Sequence, residues 1–271
     1  MNEIGSEGEV RGFVRQRYGE IARDALQGKA TGCGPGCCSP GDTDAEALIP
    51  LQAVAENHSG AINLSLGCGD PLLLAELLPG QTVLDLGSGA GLDCFNAARQ
   101  VGKEGRVIGV DMTVEMLSLA RTNQSRLGLE NVEFRLGEIE HLPVADGSVD
   151  VVISNCVINL SPDKPQVLRE AWRVLKPGGR LAISDIATQG TLPQDLRSDL
   201  SSWASCVAGA LEVQEYRAML EAVGFVNIQI EPAFVYAEVQ EPDGASPKQS
   251  EDAGEKPKIR VYSVRVRAQK P

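Results

Sequence analysis

The chain has 271 residues, 42% of them hydrophobic, which is enough to bury one elaborated core and excludes wholesale disorder. Its formal net charge of −12 argues against a nucleic-acid partner, because phosphate binding needs a basic face and no Lys/Arg cluster supplies one. No apolar run approaches membrane-spanning length, and MNEIGSEGEV lacks the basic and apolar regions of a secretory signal, so a soluble cytoplasmic protein with no membrane partner is expected.

In chain order, Glu7 to Leu26 reads as an amphipathic helix with Val10, Phe13, Val14, Tyr18 and Ile21 on one side. The Gly/Pro-rich stretch Thr31 to Asp42 reads as irregular and carries Cys33, Cys37 and Cys38. Asp44 to Ala53 looks helical, and Ile62 to Pro71 looks extended, ending in a turn that presents Cys68. A helix over Leu72 to Leu78 leads to the strand Val83 to Leu86 and the glycine turn behind it. Helix and strand then alternate: Leu92 to Val101, Arg106 to Val110, Val114 to Leu127 with Thr113 as cap, Val132 to Leu136, Val149 to Ser154, Lys164 to Leu175 and Arg180 to Ser184. Such alternation predicts an α/β protein with a doubly wound, mostly parallel, Rossmann-like sheet. A helical insertion over Leu192 to Leu211, a helix over Gln214 to Val223 and a strand over Val226 to Ile230 follow. Glu241 to Pro257 reads as a mobile acidic loop, and Ile259 to Val266 alternates as an antiparallel edge strand would. The expected organisation is an N-terminal helical arm over 1–60, a cofactor-binding core over 61–188, and an insertion with C-terminal strands over 189–271.

The stretch VLDLGSGAGLD, Val83 to Asp93, is an apolar strand followed by alternating Gly87, Gly89 and Gly91, which allow a sharp turn and close approach of a ligand to the next helix N-terminus. A dinucleotide and S-adenosylmethionine compete for such a turn. The G-x-G-x-G spacing departs from the G-x-G-x-x-G of dinucleotide folds, and Asp85 offers negative charge near a cationic ligand. Asp111 can accept from ribose hydroxyls, and Glu138 to Glu140 can border an adenine.

The ordered series VLDLGSGAG, GVDMT, GEIEHLP, SVDVVISN and VLKPGGR resembles a class I S-adenosylmethionine-dependent methyltransferase. The resemblance implies a cofactor site of Asp85, Gly87, Ser88, Gly89, Gly91, Asp111, Met112, Glu138, Ile139 and Asn155.

Seven cysteines in a cytoplasmic protein call for a reading other than a disulfide framework. Ligands of open α/β sheets bind beyond the carboxyl ends of the strands, which puts Cys156, just past the fourth strand, and Cys206, in the insertion, at the rim of the cofactor site. Cys68, between two glycines, is an exposed-turn candidate for the same site, whereas Cys94 reads as an inert packing residue and Asp185 as a turn or capping group. Converging thiols suit a soft acceptor such as trivalent arsenic, whose lone pair attacks a sulfonium methyl without a general base. Two other readings are an ordinary small-molecule methyltransferase with incidental cysteines and a non-catalytic thiol-based metalloid binder. Zinc at the arm cysteines lacks the usual second ligand pair.

The segments NLSLGCGDP, SNCVINLSPDK, WASCVAGA and VYSVRVRA are similar to the bacterial arsenite methyltransferases. That resemblance implies arsenite, or its thiol conjugates, held by Cys156 and Cys206 with Cys68 as third thiol, and a turnover disulfide between Cys68 and an arm cysteine. Cys38 is chosen as that arm cysteine, with Cys37 as the alternative, and thioredoxin or glutathione would reopen the disulfide. A monomer is expected.

Overall fold

The computed structural model describes residues 7–27, 69–192, 206–240 and 258–271. Helix α1 (Glu7–Leu26) precedes a short α2 (Leu72–Ala75). The regular alternation is β1 (Thr82–Leu86), α3 (Leu92–Val101), β2 (Arg106–Asp111), α4 (Val114–Leu127), β3 (Val132–Leu136) and β4 (Val149–Asn155). A 3-10 turn at Ile158–Leu160, α5 (Lys164–Val174) and β5 (Leu175–Gln189) come next, followed by β6 (Leu211–Glu212), α6 (Val213–Val223), β7 (Val226–Gln240) and β8 (Lys258–Gln269).

The sheet runs in the order β3-β2-β1-β4-β5-β8-β7, with β6 pairing alongside β5. Strands β1 to β5 are mutually parallel and β8 runs antiparallel to both of its neighbours. The sequence explains this layering. Strands β1, β2 and β4 are near-continuous apolar runs because both of their faces are covered, whereas β3, at the edge, alternates between buried and half-buried positions. Leu84, Leu86, Ile108, Val110 and Val152 pack toward α5 and α6, while Val83, Val107, Val151 and Ile153 pack toward α3 and α4.

Several elements differ from the sequence reading for local reasons. The helix expected over Leu72 to Leu78 stops at Ala75, where Glu76 takes a left-handed φ of 46° and Arg180 donates to the freed carbonyls of Ala75 and Glu76. Thr113 stands at the N-cap of α4, yet its side chain makes no capping bond; its backbone N–H donates to Asp111 instead. The terminal strand β8 is antiparallel as its alternation suggests, but it lies between β5 and β7, and β7 forms the antiparallel edge. Leu211, expected to end the helical insertion, is in β6 opposite Ala187. The expectations for Thr31 to Asp42, Asp44 to Ala53, most of Ile62 to Pro71, most of the insertion and Glu241 to Pro257 lie outside the described residues. No helix among the described residues is long and apolar enough to cross a membrane.

Strand order reverses at β1, which has β2 on one side and β4 on the other, so the connections leaving β1 and β4 head to opposite sides of the sheet. A crevice beyond the carboxyl ends of the strands follows from that reversal.

Candidate functional site

The glycine turn follows β1 directly. Gly87, Gly89 and Gly91 all have positive φ, at 67°, 50° and 91°, a region that costs any residue with a Cβ. At Gly87 a Cβ would also stand 2.5 Å from both Val157 methyls, so the side chain of the loop after β4 packs where only glycine leaves room. Asp111, at the end of β2, ties the turn down: its Oδ2 accepts from Gly89 N–H at 2.9 Å and its Oδ1 from Thr113 N–H at 2.8 Å. Both carboxylate oxygens are thus already bonded to the chain's own amides, and each keeps a lone pair for a further donor.

Acidic groups converge beneath this turn. Asp85 is 2% exposed on an otherwise apolar strand, and its Oδ2 accepts from the Cys94 thiol at 3.2 Å. Burial, with Asp93 and Asp111 nearby, holds the Asp85 carboxyl well above the usual carboxylate range, while the Cys94 hydrogen bond opposes that rise. Burial likewise raises Asp93 to about 6 against the hydrogen bond from Asn155. Cys94, also buried and beside these carboxyls, has its thiol pushed far up and so acts as a permanent donor. Ser88 adds a buried hydroxyl with no partner. A pocket that gathers acids which repel one another, plus an orphaned hydroxyl, fits a cationic ligand bearing polar groups and disfavours a pyrophosphate.

The remaining cofactor candidates divide by position. Glu138 pairs with Arg15 of α1 at 2.8 Å, Met112 packs against Val10 and Val14 of the same helix, and Ile139 lies in the core. Asn155 donates from Nδ2 to Gly69 O at 2.8 Å and to Asp93 Oδ2 at 3.1 Å, clamping the segment before β1 to the end of β4. Sequence reasoning gave Asp93 and Cys94 no role at the site. An acidic residue in the first helical turn is ordinary, as is a buried cysteine on a helix, so neither carried a signal.

The thiols occupy the other wall. Cys156 and Cys206 are 3% and 4% exposed and pack in an apolar cluster with Ile186, Leu192, Ile259 and Val261. Their backbones are left-handed, with φ of 56° and 63°, a strain that non-glycine residues sustain only where the surroundings enforce it. The Cys206 thiol donates to the Cys156 carbonyl at 2.9 Å, and Cys156 N–H donates to Ser184 O at 2.8 Å. Cys206 and Cys94 are not disulfide-bonded, whereas Cys156 is. Cys33, Cys37, Cys38 and Cys68 lie outside the described residues. Gly69, next to Cys68, runs so close to Ser184 that a Cβ would stand 2.0 Å from its hydroxyl. Deeper in this wall, burial pushes Asp185 up to about 7 and Lys164 down to about 8, while their mutual attraction opposes both shifts.

Comparison with known proteins bears on the fold and the family. A family model described as a methyltransferase domain matches residues 77–224. The arsenite methyltransferase of Halobacterium salinarum is 51% identical over 83% of this chain, and the human arsenite methyltransferase 37% over 80%. The chain spans 59% and 58% of the lengths of these two relatives. The crystal structure of an arsenic(III) S-adenosylmethionine methyltransferase from Chlamydomonas reinhardtii superposes with a TM-score of 0.59 at 40% identity, over 74% of this chain and 66% of that one. A methyltransferase-domain match over more than half of the sequence makes this chain a member of the methyltransferase domain family.

Proposed function

We propose that this protein methylates trivalent arsenic from S-adenosylmethionine. The observation that carries the reading is the pair of left-handed cysteines, Cys156 and Cys206, joined through one carbonyl at the rim of the cofactor turn. Isolated structural cysteines have no need of enforced backbone strain, and similarity to arsenite methyltransferases of both archaeal and human origin supports the same assignment.

Asp85, Ser88, Asp111 and the glycine turn would hold S-adenosylmethionine, with Met112 and Ile139 toward the adenine. When bound, that cofactor supplies an electrophilic methyl group and departs as S-adenosylhomocysteine. The buried carboxyls favour its positive charge, and the apolar cluster packed around the thiols keeps water from competing. Cys156 and Cys206, with Cys68, hold arsenic by As–S bonds and leave its lone pair free, so the chain needs no general base. Methylation leaves arsenic formally pentavalent. Cys68 and Cys38, or Cys37, then give up two electrons, returning it to the trivalent state as they close a disulfide. Thioredoxin or glutathione in the cytoplasm supplies the two electrons that reopen it.

The test is to incubate the reduced protein with arsenite and S-adenosylmethionine and to quantify methylated arsenicals by mass spectrometry. Methylated product that falls at least ~100-fold in Cys156→Ser and in Cys206→Ser is expected. Absence of product from the reduced wild type overturns the reading, and undiminished product from the serine variants reassigns the acceptor.

A further inference from the structure

We propose that Asn159 and Asp185 form a buried positioning pair that sets the placement of Cys156 relative to Cys206. The inference rests on the arsenic-binding reading for its purpose, while its geometry stands independently. Asp185 is 0% exposed and Asn159 is 1% exposed, on an apolar stretch of β5 and in the 3-10 turn after Cys156. Asp185 Oδ1 accepts from Asn159 Nδ2 at 2.9 Å and from Ile186 N–H at 2.8 Å, and its Oδ2 accepts from Asn159 N–H at 3.3 Å. Asn159 Nδ2 also donates to Ile186 O at 2.6 Å. One residue before Asp185, Ser184 O accepts from Cys156 N–H at 2.8 Å.

The loop bearing Cys156 is therefore fastened to β5 on both sides of the strained residue, at Cys156 itself and at Asn159. Its carbonyl, fixed between these fastenings, is the acceptor for the Cys206 thiol. Loosening the Asn159 end lets Cys156 relax from φ of 56° toward the favoured region, which swings that carbonyl and releases Cys206. Lys164 completes the arrangement as the neighbouring cation, its Nζ donating to Ser161 O at 2.9 Å at the far end of the same loop. An apolar pair at these positions would fill the space without a penalty for burying charge, so a carboxylate with directed acceptors is the choice that fixes orientation.

Asp185→Asn turns one acceptor oxygen into a donor facing the Asn159 amide, and Asn159→Ser keeps the backbone bond while losing both side-chain bonds. Each full-length reduced variant is compared with wild type in three ways. Thermal melting reports folding, and titration with S-adenosylmethionine alone reports the cofactor wall. Bridging by dibromobimane, which links two thiols only at short separation, reports the thiol pair, with the Cys156–Cys206 bridge identified by peptide mass spectrometry. The expected result is a bridging rate at least ~10-fold lower, a KM for arsenite at least ~10-fold higher, and S-adenosylmethionine affinity within ~2-fold of wild type. Unchanged bridging, parallel loss of cofactor affinity, or unfolding of both variants overturns the proposal. If wild type makes no methylarsenical but bridging still falls in the variants, the functional reading fails and the positioning pair stands.

Discussion

Single residues set the electrostatics of this site. Asp93 has a carboxyl raised from 3.8 to about 6 by burial, so between those pH values the folded protein holds a proton that the unfolded chain has released. The native state binds more protons there, hence stability falls as pH rises through this window and levels off above about 6. Asp185, raised to about 7, extends the same trend upward. The unliganded protein is expected to be more stable at pH 5 than at pH 7.5. Asp93→Asn should remove up to about 1 kcal/mol of that difference, a figure reduced because the side chain is only half-buried. Urea unfolding at the two pH values measures it, and an unchanged difference in the variant contradicts the assignment. Asp85 and Asp111 were visible in the sequence because acids at the ends of apolar strands are conspicuous. Cys94 was not, since its role depends on a side chain from another element arriving 3.2 Å away.

Among the elements, α1 contributes most beyond the sheet. Val10 and Val14 pack against Met112, Leu160 and Ala208, and Arg15 reaches Glu138, so one helix touches both the cofactor wall and the loops that bear the thiols. Its exposed ion pairs contribute little, and the buried valines hold it down. Val14→Asp places an unpaired charge at a position 1% exposed and is expected to release the helix. The readouts are faster cleavage after Arg15 or Arg17 in limited trypsin digestion and weaker S-adenosylmethionine binding by at least ~5-fold. Wild-type protease resistance in this variant would show that the helix does not depend on that contact. The helix itself was legible from its 3.6-residue period. Which surface it covers was not, because periodicity identifies an apolar face and says nothing about the partner.

Across the whole molecule, the last strand joins what would otherwise be separate parts. Strand β8 lies between β5 and β7, places Val264, Val266 and Ala268 in the main core, and is anchored by Lys270, whose Nζ donates to the Trp172 and Leu175 carbonyls at 2.8 Å each. Removing residues 258–271 exposes two strand edges at once and takes away a layer of buried side chains. The truncated chain is expected to bind a hydrophobic dye and to lose a cooperative melting transition; a sharp melt within a few degrees of wild type would refute this role for β8. The sequence alone determined the α/β class, the succession of strands and helices and the acidic glycine turn, because apolar periodicity, glycine spacing and strand-end acids are local properties. Its cysteine positions relative to strand ends also sufficed to put Cys156 and Cys206 on one rim. The tertiary structure decided that the final strand lies inside the sheet, that Cys94 serves Asp85, and that a left-handed Cys156 is fastened to β5 and accepts from Cys206. Each of those depends on a contact between residues far apart in the chain, which packing and hydrogen-bond geometry select and local pattern does not encode.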